Sequence, residues 1–172
     1  QQQNANMSKF KQQGSKANII HLASHAFLTN NDIKEPHIVL SDGYLLASQF
    51  TDTIFRQCNL AVLACCDTGN GSYKKGIGIR SLNYDFRKHG AQAVLATLWS
   101  VDDKATSTLL KDFYHFLEKG ENKSRALNEA KLKYLQQDIK YKAPYYWAAL
   151  MLNGQDNAIV LKKQNSAKQQ TL

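Results

Sequence analysis

The stretch Leu60-Ala61-Val62-Leu63-Ala64-Cys65-Cys66-Asp67-Thr68-Gly69-Asn70-Gly71 decides how the fold is read. Residues 60–65 are apolar without interruption and then break into Asp, Thr, Asn and two glycines. A short, continuous apolar run bounded by turn formers fits a strand covered on both faces. Working outward, residues 19–23 (Ile-Ile-His-Leu-Ala), 91–98 and 147–152 read as further buried strands. Between them the apolar period lengthens. Ile79, Leu82 and Phe86 fall at i, i+3 and i+7, and the segment closes on Lys88-His89-Gly90, a basic last turn followed by a helix-ending glycine. Ala105, Leu109, Leu110, Phe113 and Phe116 predict a second amphipathic helix, opened by Asp102-Asp103, whose charge suits its positive end. Ala126, Leu127, Ala130 and Tyr134 predict a third, with Ser124 as its N-cap. Pro144 is expected to block helix continuation before the last strand. Strands alternating with helices predict an α/β sandwich with a mostly parallel sheet. In such sheets, ligands and chemistry collect at the carboxyl ends of the strands.

The two ends differ from this middle. Residues 1–17 are rich in Gln, Asn, Lys and Ser; Met7 and Phe10, three apart, suggest the last turns of a helix ended by Gly14. Residues 162–172 hold almost no large apolar side chain and are expected to be disordered. The expected organisation is therefore a preceding helix and linker (1–17), a core (18–161) and a tail (162–172). With 43% hydrophobic residues, two Trp, eight Tyr and seven Phe, the 172-residue chain can bury a core, which excludes wholesale disorder. No apolar run approaches the ~20 residues of a membrane span, so no membrane partner is expected. Three cysteines without paired spacing argue against a disulfide scaffold and for a reducing, cytoplasmic setting. Lys and Arg exceed Asp and Glu by 22 to 14, a formal +8. The lysines are scattered and many lie in the tails, so a solvated surface accounts for them better than a nucleic-acid partner does.

The strand ends carry the chemistry. The first strand runs into Ala23-Ser24-His25-Ala26 and the second into Cys65-Cys66. If the two strands are parallel neighbours, a histidine and a cysteine sit just beyond their carboxyl ends. A thiolate is an effective nucleophile, and an adjacent imidazole both takes its proton and stabilises the charge. Side chains alternate along a strand, so at most one of Cys65 and Cys66 serves such a site. Cys58 precedes its strand and reads as structural. His21 and His25, four apart on a strand, are separated by about 13 Å and cannot share one ion; His21 therefore reads as a core or near-core residue, and neither a metal nor another cofactor is expected. No phosphate-binding Gly pattern is present, and Gly76-Ile77-Gly78 reads as the lead into the following helix.

Five ordered blocks resemble one known family, the CHAT domains, caspase-like cysteine peptidases related to separases. They are Ile20-His21-Leu22-Ala23-Ser24-His25-Ala26, His37-Ile38-Val39-Leu40-Ser41-Asp42-Gly43, Leu63-Ala64-Cys65-Cys66-Asp67-Thr68-Gly69, Gly90 through the Leu98-Trp99-Ser100-Val101-Asp102-Asp103 segment, and Pro144-Tyr145-Tyr146-Trp147-Ala148-Ala149 to Asn153-Gly154. The resemblance implies a caspase-like three-layer sandwich with a mostly parallel central sheet. It also implies that the N-terminal part of the domain is missing, since family members carry a further strand and helices before the histidine strand. Carried over residue by residue, the catalytic histidine falls on His25 and the nucleophile on Cys66. Where the family has Gly after the histidine, this chain has Ala26, which keeps the backbone donor; Ala26 and Cys66 then supply the oxyanion-binding N–H groups. The separation of 41 residues from His25 to Cys66 suits one crossover between neighbouring parallel strands.

The implied activity is a cysteine endopeptidase that cuts protein substrates through an acyl-enzyme, gated by a sensor module, such as tetratricopeptide repeats, or by the rest of the domain. Trp99 and Asp103 are expected in the substrate-binding wall, where Asp103 would pair with a basic side chain; the equal alternative is that Asp102 or Asp103 caps the following helix. Separase-like relatives place their acidic reader where this chain has Thr106 and Ser107. A second reading keeps the fold without the chemistry: a catalytically silent interaction module.

Overall fold

The structure, a computed structural model, describes residues 6–27, 33–64, 72–74, 78–137 and 142–160. The central sheet has four strands in the order β1 (Ile19–Leu22), β5 (Leu60–Leu63), β8 (Ala93–Thr97) and β9 (Leu150–Gly154). β1, β5 and β8 run parallel, with Ile19 opposite Leu60 and Ala61 opposite Val94. β9 pairs antiparallel to β8, Thr97 opposite Leu150. The three parallel strands are the apolar runs of the sequence, and β5 and β8 are buried along their whole length. Continuous apolarity follows from burial on both faces.

Alternation divides those strands between two cores. On one face, Ile20, Ala61, Leu63, Val94 and Ala96 pack with Phe50, Phe55 and Phe86. On the other, Leu60, Val62, Ala93 and Leu95 pack with Leu109, Phe113, Leu117, Ala126 and Ala130. The first layer holds α1 (Met7–Gly14), α2 (Asp52–Phe55) and α3 (Leu82–Lys88), with a small antiparallel sheet of β2 (Ala26–Phe27), β3 (His37–Leu40) and β4 (Gly43–Leu46). The second holds α4 (Asp103–Glu118) and α5 (Lys123–Gln136). This is the expected α/β sandwich in three layers. A hairpin of β6 (Ser72–Lys74) and β7 (Gly78–Arg80) and the short α6 (Pro144–Trp147) complete the elements. Among the described residues no helix is long and apolar enough to cross a membrane.

Helix ends follow local chemistry. Asn6 caps α1, whose Met7 and Phe10 pack against the first core, and Gly14 ends it as expected. Four local expectations are corrected. Ile79 lies in β7, and α3 begins only at Leu82, where the Ser81 hydroxyl accepts from the Tyr84 N–H. Gly78, expected in the lead into that helix, starts a strand instead. The N-cap of α5 is Asn122, whose side chain accepts from Arg125, because the Ser124 hydroxyl is spent on Asp156 at 2.6 Å. Trp147 ends a helical turn instead of opening the last strand: Pro144 sits at its first position, where its fixed φ favours a helix, and Ala148 donates back to the Pro144 carbonyl. The tail predicted to be disordered, 162–172, lies outside the described residues.

Candidate active site

The site is built where β1 and β5 end. The Ala64 N–H donates to the Leu22 carbonyl at 2.9 Å, so the parallel ladder reaches the last residue before Cys65. Cys65 and Cys66 themselves lie outside the described residues. Beyond Leu22 the chain is fixed sideways to β3: the Ser24 hydroxyl donates to the Val39 carbonyl at 2.6 Å, and Val39 N–H donates to the His25 carbonyl at 2.8 Å. These bonds set His25 between β1 and β2 with an exposed side chain, while the next residue, Ala26, is buried.

His25 opens onto a groove of about 590 Å³ between the β1 end and one stripe of α4. Ala23, Ser24 and Ala64 line it from the sheet side. From α4 come Asp103, Thr106, Ser107, Leu110, Lys111 and Tyr114, spaced at three to four residues and so on one helix face. The helix cap question is resolved here. Asp102 is the N-cap, accepting from the Ala105 N–H at 2.9 Å, whereas Asp103 is exposed and borders the groove. Trp99 is placed differently from Asp103: it does not line the groove, and its indole N–H donates to the Tyr145 carbonyl at 3.0 Å. Tyr145 returns a hydroxyl bond to the Ser100 carbonyl at 2.8 Å, tying α6 to the end of β8.

His21 corrects the expectation of a core residue. It is not in either core but lines the groove, with Nδ1 2.9 Å from the Tyr114 hydroxyl and the two rings stacked at 5.7 Å. Burial lowers the His21 pKa below its ordinary value and raises that of Tyr114. Tyr114 and Lys111 were legible only as members of an amphipathic helix. The three-to-four spacing from Asp103 is the signal that would have placed them on the groove.

Cys58 is fully buried, and desolvation pushes its thiol up to about 11, as expected of a structural cysteine. Among the described residues no three His, Cys, Asp or Glu side chains converge as a metal site.

Comparison with known proteins completes the picture. A family model described as the CHAT domain matches residues 1–155. The chain belongs to the CHAT domain family. CHAT domains are related to caspase-like cysteine peptidases, and the parallel sheet with a histidine at its carboxyl edge agrees with that kinship. Tetratricopeptide repeat protein 28 of Homo sapiens is 38% identical over 79 residues, 46% of this chain and 3% of that protein. Its Mus musculus counterpart is 34% identical over 97 residues, 56% of this chain and 4% of that protein. This CHAT domain therefore spans only a small fraction of the length of the relatives it matches.

Proposed function

We propose that this CHAT domain is a cysteine endopeptidase whose dyad is His25 and Cys66. The observation that carries the reading is the placement of His25 on the groove at the carboxyl end of β1, beside the parallel strand β5, whose chain runs on through Ala64 to Cys65 and Cys66. The Cys66 thiolate attacks the scissile carbonyl carbon and forms a tetrahedral adduct. The backbone N–H groups of Ala26 and Cys66 hold its oxyanion. In an alternating antiparallel ladder, the residue between bonded positions turns its N–H away from its partner, and Ala26 occupies that place between His25 and Phe27. His25 gives the proton taken from the thiol to the leaving amine, and water then releases the acyl group, regenerating the thiol.

Asp103 contacts a basic group of the substrate. Its carboxylate borders the same groove as His25, and Asp102 rather than Asp103 fills the cap. Trp99, which does not line the groove, has no part in this contact and instead ties the end of β8 to α6 through the Tyr145 carbonyl. Both relatives are named for tetratricopeptide repeats, which supports a module of that kind as the sensor that gates cleavage of a protein substrate.

A peptide-cleavage assay tests the assignment. Cys66→Ala should abolish turnover, while Cys65→Ala should keep it. Activity that survives in Cys66→Ala and is lost in Cys65→Ala overturns the choice of nucleophile. Absence of cleavage in every form under conditions where the fold persists favours the silent interaction module.

A further inference from the structure

The groove has two chemically different ends. His25 and Asp103 stand at one, and His21, Tyr114 and Lys111 at the other. Along α4, Asp103 and Lys111 are separated by about 12 Å at 1.5 Å per residue. That exceeds the Debye length of roughly 8–10 Å at ordinary salt, so each end presents its own charge. Among the described residues Lys111 has no carboxylate partner. The adjacent acid, Asp112, is buried and bound to Lys133 at 2.6 Å.

The His21–Tyr114 pair adds a donor whichever way its shared proton lies. Burial favours the neutral forms of both rings, so the pair owns one imidazole N–H and one hydroxyl O–H. If the hydroxyl donates to Nδ1, the His21 Nε2–H remains unspent within the pair. If Nδ1–H donates to the hydroxyl oxygen, the Tyr114 O–H remains. With the Lys111 ammonium one helical turn before Tyr114, this end offers donors and positive charge.

We propose that His21, Tyr114 and Lys111 form a second subsite of the groove that takes an acidic side chain of the substrate, two to four residues from the bond that is cut. The spacing follows from the roughly 12 Å along α4 between Asp103 and Lys111, which extended peptide covers in about four residues and which long side chains shorten. The subsite rests on the reading of His25 as the reacting end. Together with Asp103, it makes the groove a reader of charge order, basic near the cut and acidic further along.

Two measurements separate this subsite from the activity itself. In the first, a peptide library is cleaved by the chain and by Lys111→Glu, an exposed substitution that should leave circular dichroism unchanged. Asp and Glu should be enriched about three- to tenfold at one position two to four residues from the cut, as suits a partly screened charge-assisted contact. Lys111→Glu should abolish that enrichment, and Tyr114→Phe should weaken it. In the second, Cys66→Ala is titrated with fluorescent hexapeptides bearing Asp, Asn or Lys at that position. Asp should bind tightest, and the order should collapse in Cys66→Ala combined with Lys111→Glu. Cleavage without acidic enrichment overturns the subsite and leaves the peptidase reading standing. Acid-selective binding that Lys111→Glu removes, with no cleavage by any form, supports the subsite and overturns the peptidase reading. Neither cleavage nor acid-selective binding overturns both.

Discussion

The Ala64 N–H reaches the Leu22 carbonyl at 2.9 Å, the last rung joining β5 to β1. Everything proposed for the site depends on this bond, because His25 is three residues past Leu22 and Cys66 two past Ala64. A parallel ladder held to its final residue delivers both chains to the same edge of the sheet, where α4 supplies the opposite wall. The sheet therefore does the positioning of His25 and of the chain that leads to Cys65 and Cys66.

Thiol reactivity should divide the cysteines sharply. Cys58 is sealed in the first core and its thiol is pushed up to about 11, so at pH 7.5 almost none is thiolate. Iodoacetamide labelling followed by peptide mass spectrometry should find Cys58 unmodified in the folded chain and modified after denaturation. Under the proposed dyad, Cys66 should label fastest, and His25→Ala should slow it about tenfold or more. Equal labelling of Cys58 and Cys66 in native protein would contradict both the packing and the dyad.

His21 should leave a signature in the pH dependence of stability. Its folded pKa is lowered by burial from about 6.5, so the unfolded chain binds more protons at and below that pH. Stability from this residue is therefore intact above about pH 6.5 and declines as the pH falls toward the folded pKa. Urea melts between pH 5 and 7.5 should show wild-type stability falling on acidification. His21→Gln, which cannot take up the proton, should show a flatter profile. A steeper profile in the variant would show that His21 gains rather than loses protons on folding.

How much of this was legible in the sequence depends on the range of the forces involved. The apolar runs at 19–23, 60–65 and 91–98 revealed the three parallel strands because burial on both faces leaves no polar alternation to obscure them. The 41-residue spacing anticipated that β1 and β5 are neighbours, which the ladder from Ile19 opposite Leu60 bears out. Misreadings arose where a distant partner overrode local preference. Ser124 looked like a cap until Asp156, 32 residues away, claimed its hydroxyl. His21 looked like a core residue because its neighbours Ile20 and Leu22 face the first core, yet its own side chain meets Tyr114, 93 positions on. Trp147 sat in an apolar run, but the proline three residues earlier had already set a helical turn.

The C-terminal segment is held by one buried cation, and its removal should be costly. Lys123 is fully buried at the start of α5, and its ammonium donates to the Asn157 carbonyl and side-chain oxygen at 2.7 and 2.8 Å. Lys123→Ala leaves those oxygens unpaired and opens a cavity, a loss of about 3 kcal/mol. Lys123→Met fills the space without the bonds and should cost less, on the order of 1–2 kcal/mol, since the charge it removes was itself expensive to bury. Chemical denaturation of the three forms gives the order directly. Lys123→Met as damaging as Lys123→Ala would assign the stabilisation to the hydrogen bonds rather than to packing.

Gly154 closes the sheet at its antiparallel edge, and no other residue fits there. Its φ is +118°, a region that L side chains avoid. A Cβ built on it would lie 2.4 Å from the Gln92 carbonyl oxygen and 2.9 Å from the Ala93 Cα, both backbone atoms that cannot swing aside. It also faces Ala93 in the β8–β9 register, so any relief must pull the two strands apart. Gly154→Ala should therefore destabilise by about 2–4 kcal/mol, adding backbone strain to overpacking. Because β8 leads through Trp99 to Asp103, a loosened edge should also raise hydrogen exchange at Val94, Leu95 and Ala96. A thermal melt within 1 °C of the parent, with unchanged exchange on β8, would mean that the edge absorbs the methyl group without moving the strand that leads into α4.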